Sequence, residues 1–153
     1  MIRTRGAAAG DAPAVTGVVA AAFTRYVERL GGIRPWPMTL DYAEIIADGQ
    51  TWLAEDAGKV AGEVVGVLVL EDRADHLLLE VLAVAPGQQG SGVGHRLMAL
   101  ADEQAVDRGF DEVRLFTNAR MTENLVYYPR QGYVETHRDE VNGFHRVFFA
   151  KHL

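Results

Sequence analysis

The sequence contains no cysteine, which removes disulfides, thiolate nucleophiles and cysteine–zinc clusters from its chemistry. Its single serine, Ser91, sits among glycines, so a serine nucleophile is not expected. No apolar run reaches the roughly 18 residues that a membrane span needs. The opening "MIRTRGAAAGDAPAV" is broken by Asp11 and Pro13 and makes a poor signal peptide. A soluble, cytoplasmic protein with no membrane partner is the expectation. Positive charge is also scarce: the net charge is -6, which argues against a nucleic-acid partner. An acidic chain suits a cationic partner, and solubility explains the same charge. His76, His95, His137, His145 and His152 show no metal-ligand spacing on a shared helix face, so no metal is expected.

What is present is enough for one domain, 1–153, with 48% apolar residues to build a core. Neither repeats nor linkers interrupt it. "IRTRGA" reads as a first strand. "GDAPAVTGVVAAAFTRYVERLGG" reads as one helix, with Asp11 as N-cap, Pro13 in the first turn and Gly31 and Gly32 at its end. Val15, Val18, Val19, Ala22, Phe23, Tyr26 and Leu30 share its apolar face. After the proline-bounded "IRPWPM", the segment "TLDYAEIIADG" predicts a short helix capped by Thr39 and stopped near Gly49.

Three strand-like runs follow, "TWLAED", "EVVGVLVLE" and "HLLLEVLAV", with a turn at "AGKVAG". Helical spacing returns from Val93 to Arg108, with Val93, Leu97, Leu100, Ala101 and Ala105 on one side and Gly109 as the stop. "DEVRLFTN" is a strand, and "MTENLVYYPRQ" a short helix interrupted at Pro129. "GYVETHR" and "GFHRVFFAK" close the chain as a strand pair joined by "DEVNG". The order β, α, α, β, β, β, α, β, α, β, β implies an antiparallel meander followed by a parallel crossover, hence a mixed sheet with helices on its faces.

The most informative stretch is "APGQQGSGVGHRLM", residues 85 to 98. A loop from the end of a strand to the start of a helix presents unpaired N–H groups, and the helix dipole adds partial positive charge. Glycines let a ligand approach that backbone, which makes an anion site, most often for phosphate. A P-loop fails because Gly94 is followed by His95 and Arg96. The dinucleotide fingerprint fails because its third glycine falls on His95. A serine-hydrolase elbow fails because Gln89 and Val93 stand where glycines are needed.

Gln89, Gly92 and Gly94 do fit Q-x-x-G-x-G. That pattern resembles the pyrophosphate loop of the GCN5-related N-acetyltransferase (GNAT) family, whose members bind acetyl-coenzyme A. "LLLEVLAVAPGQQGSGVGHRLM" resembles the family's fourth strand, loop and third helix throughout. "MTENLVYYPRQGYVE" resembles its later short helix and strand, with Tyr128 four residues before the Gly132–Tyr133 pair. The likeness covers essentially the whole chain. Two positions depart from it: Ser91 stands where arginine is common, and Met121 where asparagine often opens the helix. Asn118 and Asn124 are the nearby polar substitutes.

The resemblance implies an α/β (α+β) fold: a central, mixed, mostly antiparallel twisted sheet of six to seven strands with about four helices, its fourth and fifth strands splayed. It implies a single acetyltransferase domain. The pantetheine arm would bond the backbone at Leu82, Ala83 and Val84. The diphosphate would take main-chain amides across Gln89, Gly90, Ser91, Gly92, Val93 and Gly94, with His95 beside them, and Asn118 or Asn124 would add a polar contact. Tyr128 would be the acid for the leaving thiolate. Glu80, the only ionisable side chain between Leu77 and Ala85, would be the base, since burial raises a carboxylate toward neutral pH. Tyr26, Arg34, Trp36, Met38 and Tyr42 would line the acceptor side. Arg34 hints at a carboxylate on the acceptor, whereas Asp41 and Glu44 hint at an amine. The implied reaction is transfer of acetyl from acetyl-CoA to a primary amine of a small molecule or peptide in a ternary complex. Its alternatives are a non-catalytic acyl-CoA sensor, or an acyltransferase with another donor or acceptor. By the same analogy, a homodimer would form through C-terminal edge strands.

Overall fold

The computed structural model describes residues 1–58 and 62–153. Seven strands join one sheet in the order β1-β2-β3-β4-β5-β7-β6. They are β1 (Ile2–Gly6), β2 (Thr51–Asp56), β3 (Glu63–Asp72), β4 (Leu77–Val84), β5 (Glu112–Asn118), β6 (Val134–Val141) and β7 (Phe144–His152). The helices are α1 (Ala12–Phe23), α2 (Arg25–Arg29), α3 (Tyr42–Ala47), α4 (Val93–Asp107) and α5 (Thr122–Arg130). Antiparallel pairing holds for β1 with β2, β2 with β3, β5 with β7 and β6 with β7, whereas β4 and β5 are parallel. The sheet is therefore mixed and mostly antiparallel. The β4–β5 ladder has three pairs, Leu77 with Val113 to Leu79 with Leu115, the short pairing that splayed strands leave. The expected "AGKVAG" turn lies partly outside the described residues; Ala57 and Gly58 are turn.

The backbone clusters into two compact units, one of residues 1–70 and 81–99, the other of residues 71–80 and 100–153. The first is built on α1. Val15, Val19 and Ala22 repeat at helical spacing and are buried with Tyr42, Ile46, Leu53, Val67, Val69, Val81 and Ala83. The single expected helix is two, meeting at Thr24, whose hydroxyl donates to the Ala20 carbonyl; such back-bonding bends helices. Asp11 does not cap α1 with its side chain. Its carboxylate instead takes the Ala8 N–H at 2.7 Å and two bonds from Arg5 at 2.8 and 2.9 Å. Arg5 also donates to the buried Glu55 at 2.7 Å, which ties β1, β2 and the helix entrance together. Thr39 is not the cap of α3 either. Asp41 accepts from the Ala43 and Glu44 N–H groups there, while Thr39 donates to the Trp36 carbonyl.

In the second unit the expected strand pair is longer than its sequence signal. The β6–β7 ladder runs to Val141 and Phe144, leaving only Asn142 and Gly143 as the turn. Both have positive φ, 52° and 82°, as a two-residue hairpin turn of this hand requires. Pro129 does not interrupt α5. It lies one residue before the helix's last, and the helix continues to Arg130. Gly132 then turns the chain at φ 94°, and a Cβ there would lie 3.3 Å from the Lys151 Cε. Its bareness makes room for the Lys151–Asp102 ion pair at 2.6 Å.

Candidate active site

The glycine loop leaves β4, passes a short 3-10 turn at Pro86–Gln88 and enters α4 at Val93. Gly90 and Gly92 have φ of 82° and 91°, the left-handed region, and nothing lies within 4 Å of where their Cβ atoms would be. Glycine is needed there for the backbone path, and the missing side chains leave open space above the amides. The Ser91 N–H bonds the Gln88 carbonyl at 3.1 Å, and its hydroxyl donates to the same carbonyl. The Arg96 N–H reaches the Gly92 carbonyl at 3.0 Å, opening the helical ladder, so the amides at the start of α4 have no intrahelical acceptor. Val93 and Leu97 anchor this end. Both are fully buried, and they press to 2.8 and 2.9 Å of the position a Cβ on Gly66 of β3 would take. A strand-interior glycine is thus what lets α4 seat so close to the sheet. This open, glycine-lined turn fits a diphosphate.

Burial alternates along β4 from Leu79 onward. Leu79, Val81 and Ala83 are buried, while Glu80, Leu82 and Val84 are half-buried on the other face. Burial pushes the Glu80 carboxyl from its ordinary 4.5 up to about 8, and a hydrogen bond that protonated Glu80 donates to Glu71, with the like charge of Glu71, adds to the rise; Arg73 opposes it. Arg73 is itself paired with Glu71 at 3.2 Å. Glu80 is therefore a carboxyl that changes protonation near neutral pH, which suits a general base.

Tyr128 of α5 is buried in an aromatic group, with its ring 5.4 Å from Tyr127, 6.1 Å from Tyr133 and 5.9 Å from Phe149. Burial raises the phenols of Tyr127 and Tyr133, which makes both weaker acids. Met121 is buried beneath α5, and Asn124 bridges to β5 by donating to the Thr117 hydroxyl at 3.0 Å. Asn118 accepts from the Arg120 N–H at 2.9 Å and shapes the turn into α5.

The five acceptor-side residues are placed unequally. Tyr42 is 2% exposed, its hydroxyl bonding the Pro37 carbonyl at 2.6 Å, and Trp36 packs against the same core. Tyr26 is buried with the Arg25 and Arg29 guanidiniums over its ring, at 4.7 and 5.0 Å. Arg34 is exposed and donates to the Met38 carbonyl at 2.5 Å. Asp41 is engaged in capping, so its hint of an amine has a local explanation.

Sequence reasoning missed a cleft of about 600 Å³ in the second unit. Leu78, Phe116 and Phe148 line it together with Arg73, Arg114, Arg146 and His137. The signal was period two: Glu112, Arg114 and Phe116 share one face of β5, and Arg146 and Phe148 one face of β7. Among the described residues no group of three or more His, Asp or Glu side chains could hold a metal ion, and no helix is long and apolar enough to cross a membrane.

The fold places a turn of bare, left-handed glycine backbone between the end of β4 and the start of α4. The family profile for the acetyltransferase (GNAT) domain matches residues 47–135, and the chain belongs to that family. It is 28% identical over 109 residues to N-acetyltransferase family 8 member 2 of Rattus norvegicus, covering 70% of this chain and 46% of that one. It is 32% identical over 83 residues to aminoalkylphosphonate N-acetyltransferase of Salmonella typhimurium, covering 50% and 53%. The chain thus spans about half the length of these curated relatives. Among solved structures it resembles the PaiA N-acetyltransferase of Thermoplasma acidophilum, in complex with coenzyme A, with TM-score 0.79 at 15% identity, covering 100% of this chain and 99% of that one. A GCN5-related N-acetyltransferase of Rhodopseudomonas palustris gives TM-score 0.79 at 23% identity, covering 99% and 95%. At these identities the likeness is one of fold, and the fold class expected from the sequence is the one observed.

Proposed function

We propose that the chain is a single acetyltransferase domain that moves an acetyl group from acetyl-CoA to a primary amine of a small molecule or peptide. The observation that carries this reading is the left-handed backbone at Gly90 and Gly92 ahead of α4, in a chain of the GNAT family. Main-chain amides from Gln89 to Gly94 hold the diphosphate, aided by the helix dipole. The backbone at Leu82, Ala83 and Val84 bonds the pantetheine amides, and one N–H of β4 polarises the thioester carbonyl. Acetyl-CoA supplies the activated acyl group.

Glu80, as carboxylate, takes a proton from the ammonium of the acceptor, because an ammonium has no lone pair with which to attack. The freed nitrogen bonds the acetyl carbon, the carbon–sulfur bond breaks, Tyr128 gives its proton to the departing thiolate, and the proton the new amide nitrogen sheds restores the phenol. Holding both partners together supplies much of the acceleration. Glu80 favours an enzyme over a sensor, since a sensor has no use for a carboxyl that titrates near neutrality. The test is thiol release from acetyl-CoA across a panel of amines, amino acids and peptides. Release with an amine supports the reading, and coenzyme binding without release from any acceptor supports the sensor.

A further inference from the structure

The chain as a whole is acidic, with a net charge of -6, yet one concave face of its second unit gathers three arginines. The cleft of about 600 Å³ is lined by Arg73, Arg114 and Arg146, of which Arg73 is paired with Glu71 and Arg114 with Glu112. Its size is that of a small-molecule site. The positive charge is built on aromatic rings. The Arg146 guanidinium lies 4.1 Å from the Phe116 centroid, Phe116 meets Phe148 at 5.9 Å, and the His137 ring stacks on Phe148 at 4.3 Å with a 6° tilt. Burial lowers the Arg146 pKa, so this cation sits partly away from water, where a charge-assisted bond is strongest. At the rim, Arg114 is held by Glu112 at 2.9 Å and by Asp75 at 3.7 Å.

The cleft adjoins the proposed base. Leu78 lines it two residues from Glu80 on β4, and Arg73 both lines it and acts on the Glu80 charge. Resting on the acetyltransferase reading, we infer that this cleft seats the acceptor, and that the acceptor is an amine carrying a flat apolar body and an acidic group, a carboxylate or phosphonate. The rings of Phe116 and Phe148 cover the apolar body. Arg146 bonds the acid, with Arg73 adding charge at the mouth. A polyamine or a lysine-rich peptide would set like charge against the Arg146 guanidinium.

The experiment uses three acceptors that differ in one group: 4-(aminomethyl)benzoate, 4-(aminomethyl)phenylphosphonate and 4-(aminomethyl)benzamide. With acetyl-CoA and the wild-type chain, kcat/KM for at least one acid should exceed that for the amide by about tenfold or more, the worth of one charge-assisted bond. The ratio of the two acids says which one the cleft takes. Arg146→Gln should bring the acid-to-amide ratio toward one while the KM for acetyl-CoA stays put, and Arg73→Gln should lower the ratio less. Thiol release with the amide matching both acids overturns the inference and leaves the acetyltransferase reading standing. Titration of 4-methylbenzoate, which has no amine, reads the cleft without turnover. Saturable binding weakened in Arg146→Gln supports the inference. Binding equal in both chains, absent from both, or blocked because a second copy covers the face overturns it.

Discussion

Replacing Glu80 with glutamine keeps the shape of the side chain and removes its titration. In the wild-type chain the carboxyl is raised from 4.5 to about 8, chiefly by burial and then by Glu71. A folded-state value above the ordinary one means that the proton stabilises the fold. That contribution is complete below about 4.5 and is lost as pH rises through about 8. The shift corresponds to about 5 kcal/mol before screening. Because Glu80 is only half-buried, water reduces this to about 2 kcal/mol. Urea unfolding at pH 5 and pH 9 should therefore show the wild-type chain losing about 2 kcal/mol relative to Glu80→Gln between the two. The same group governs turnover. kcat/KM of the wild type should climb through a limb centred near 8 as the base ionises, and the variant should lack that limb and be slower by about a hundredfold or more. Glu71→Gln should move the limb to lower pH, because it removes the like charge. Parallel stability curves, together with an unchanged limb in Glu80→Gln, would refute the assignment of a buried, catalytic Glu80.

Tyr128→Phe should cut turnover by about a hundredfold, the lower end of what a positioned acid supplies, while calorimetry shows coenzyme binding preserved. Gly66→Ala should cost about 1–3 kcal/mol in urea unfolding, since its Cβ would meet Val93 and Leu97 at under 3 Å. It should also weaken coenzyme binding by displacing the start of α4. Arg5 holds the Asp11 carboxyl down at about 2, so that pair stabilises the chain above pH 4 and is lost as pH falls toward 2. Thermal melting of the wild type and Asp11→Asn should differ at pH 5 and converge at pH 2.

Much of this was legible in the chain. All seven strands lie at strand-like runs of the sequence, and the loop follows from glycines whose positive φ only glycine adopts cheaply. What escaped was decided by competition between local partners. Asp11 was free to cap α1 by sequence, but Arg5 and the Ala8 N–H claim its carboxylate once β1 lies beside β2. Asp41 rather than Thr39 caps α3, because Trp36–Thr39 form a 3-10 turn of their own. Glu80 stood out in its strand, yet Glu71, nine positions earlier, could not be paired with it before the β3–β4 turn was known. The arginines of the cleft are scattered from 73 to 146, and only the sheet gathers them on one face.

The central claim is that main-chain amides between Gln89 and Gly94 grip a diphosphate. Calorimetric titration of coenzyme A against pantetheine, which has the same arm without the diphosphate and the adenosine 3′-phosphate beyond it, tests it most directly. One coenzyme A should bind per chain, with pantetheine weaker by about a hundredfold, as befits the loss of several charge-assisted bonds. Equal affinity for the two, or no heat with coenzyme A, would contradict it.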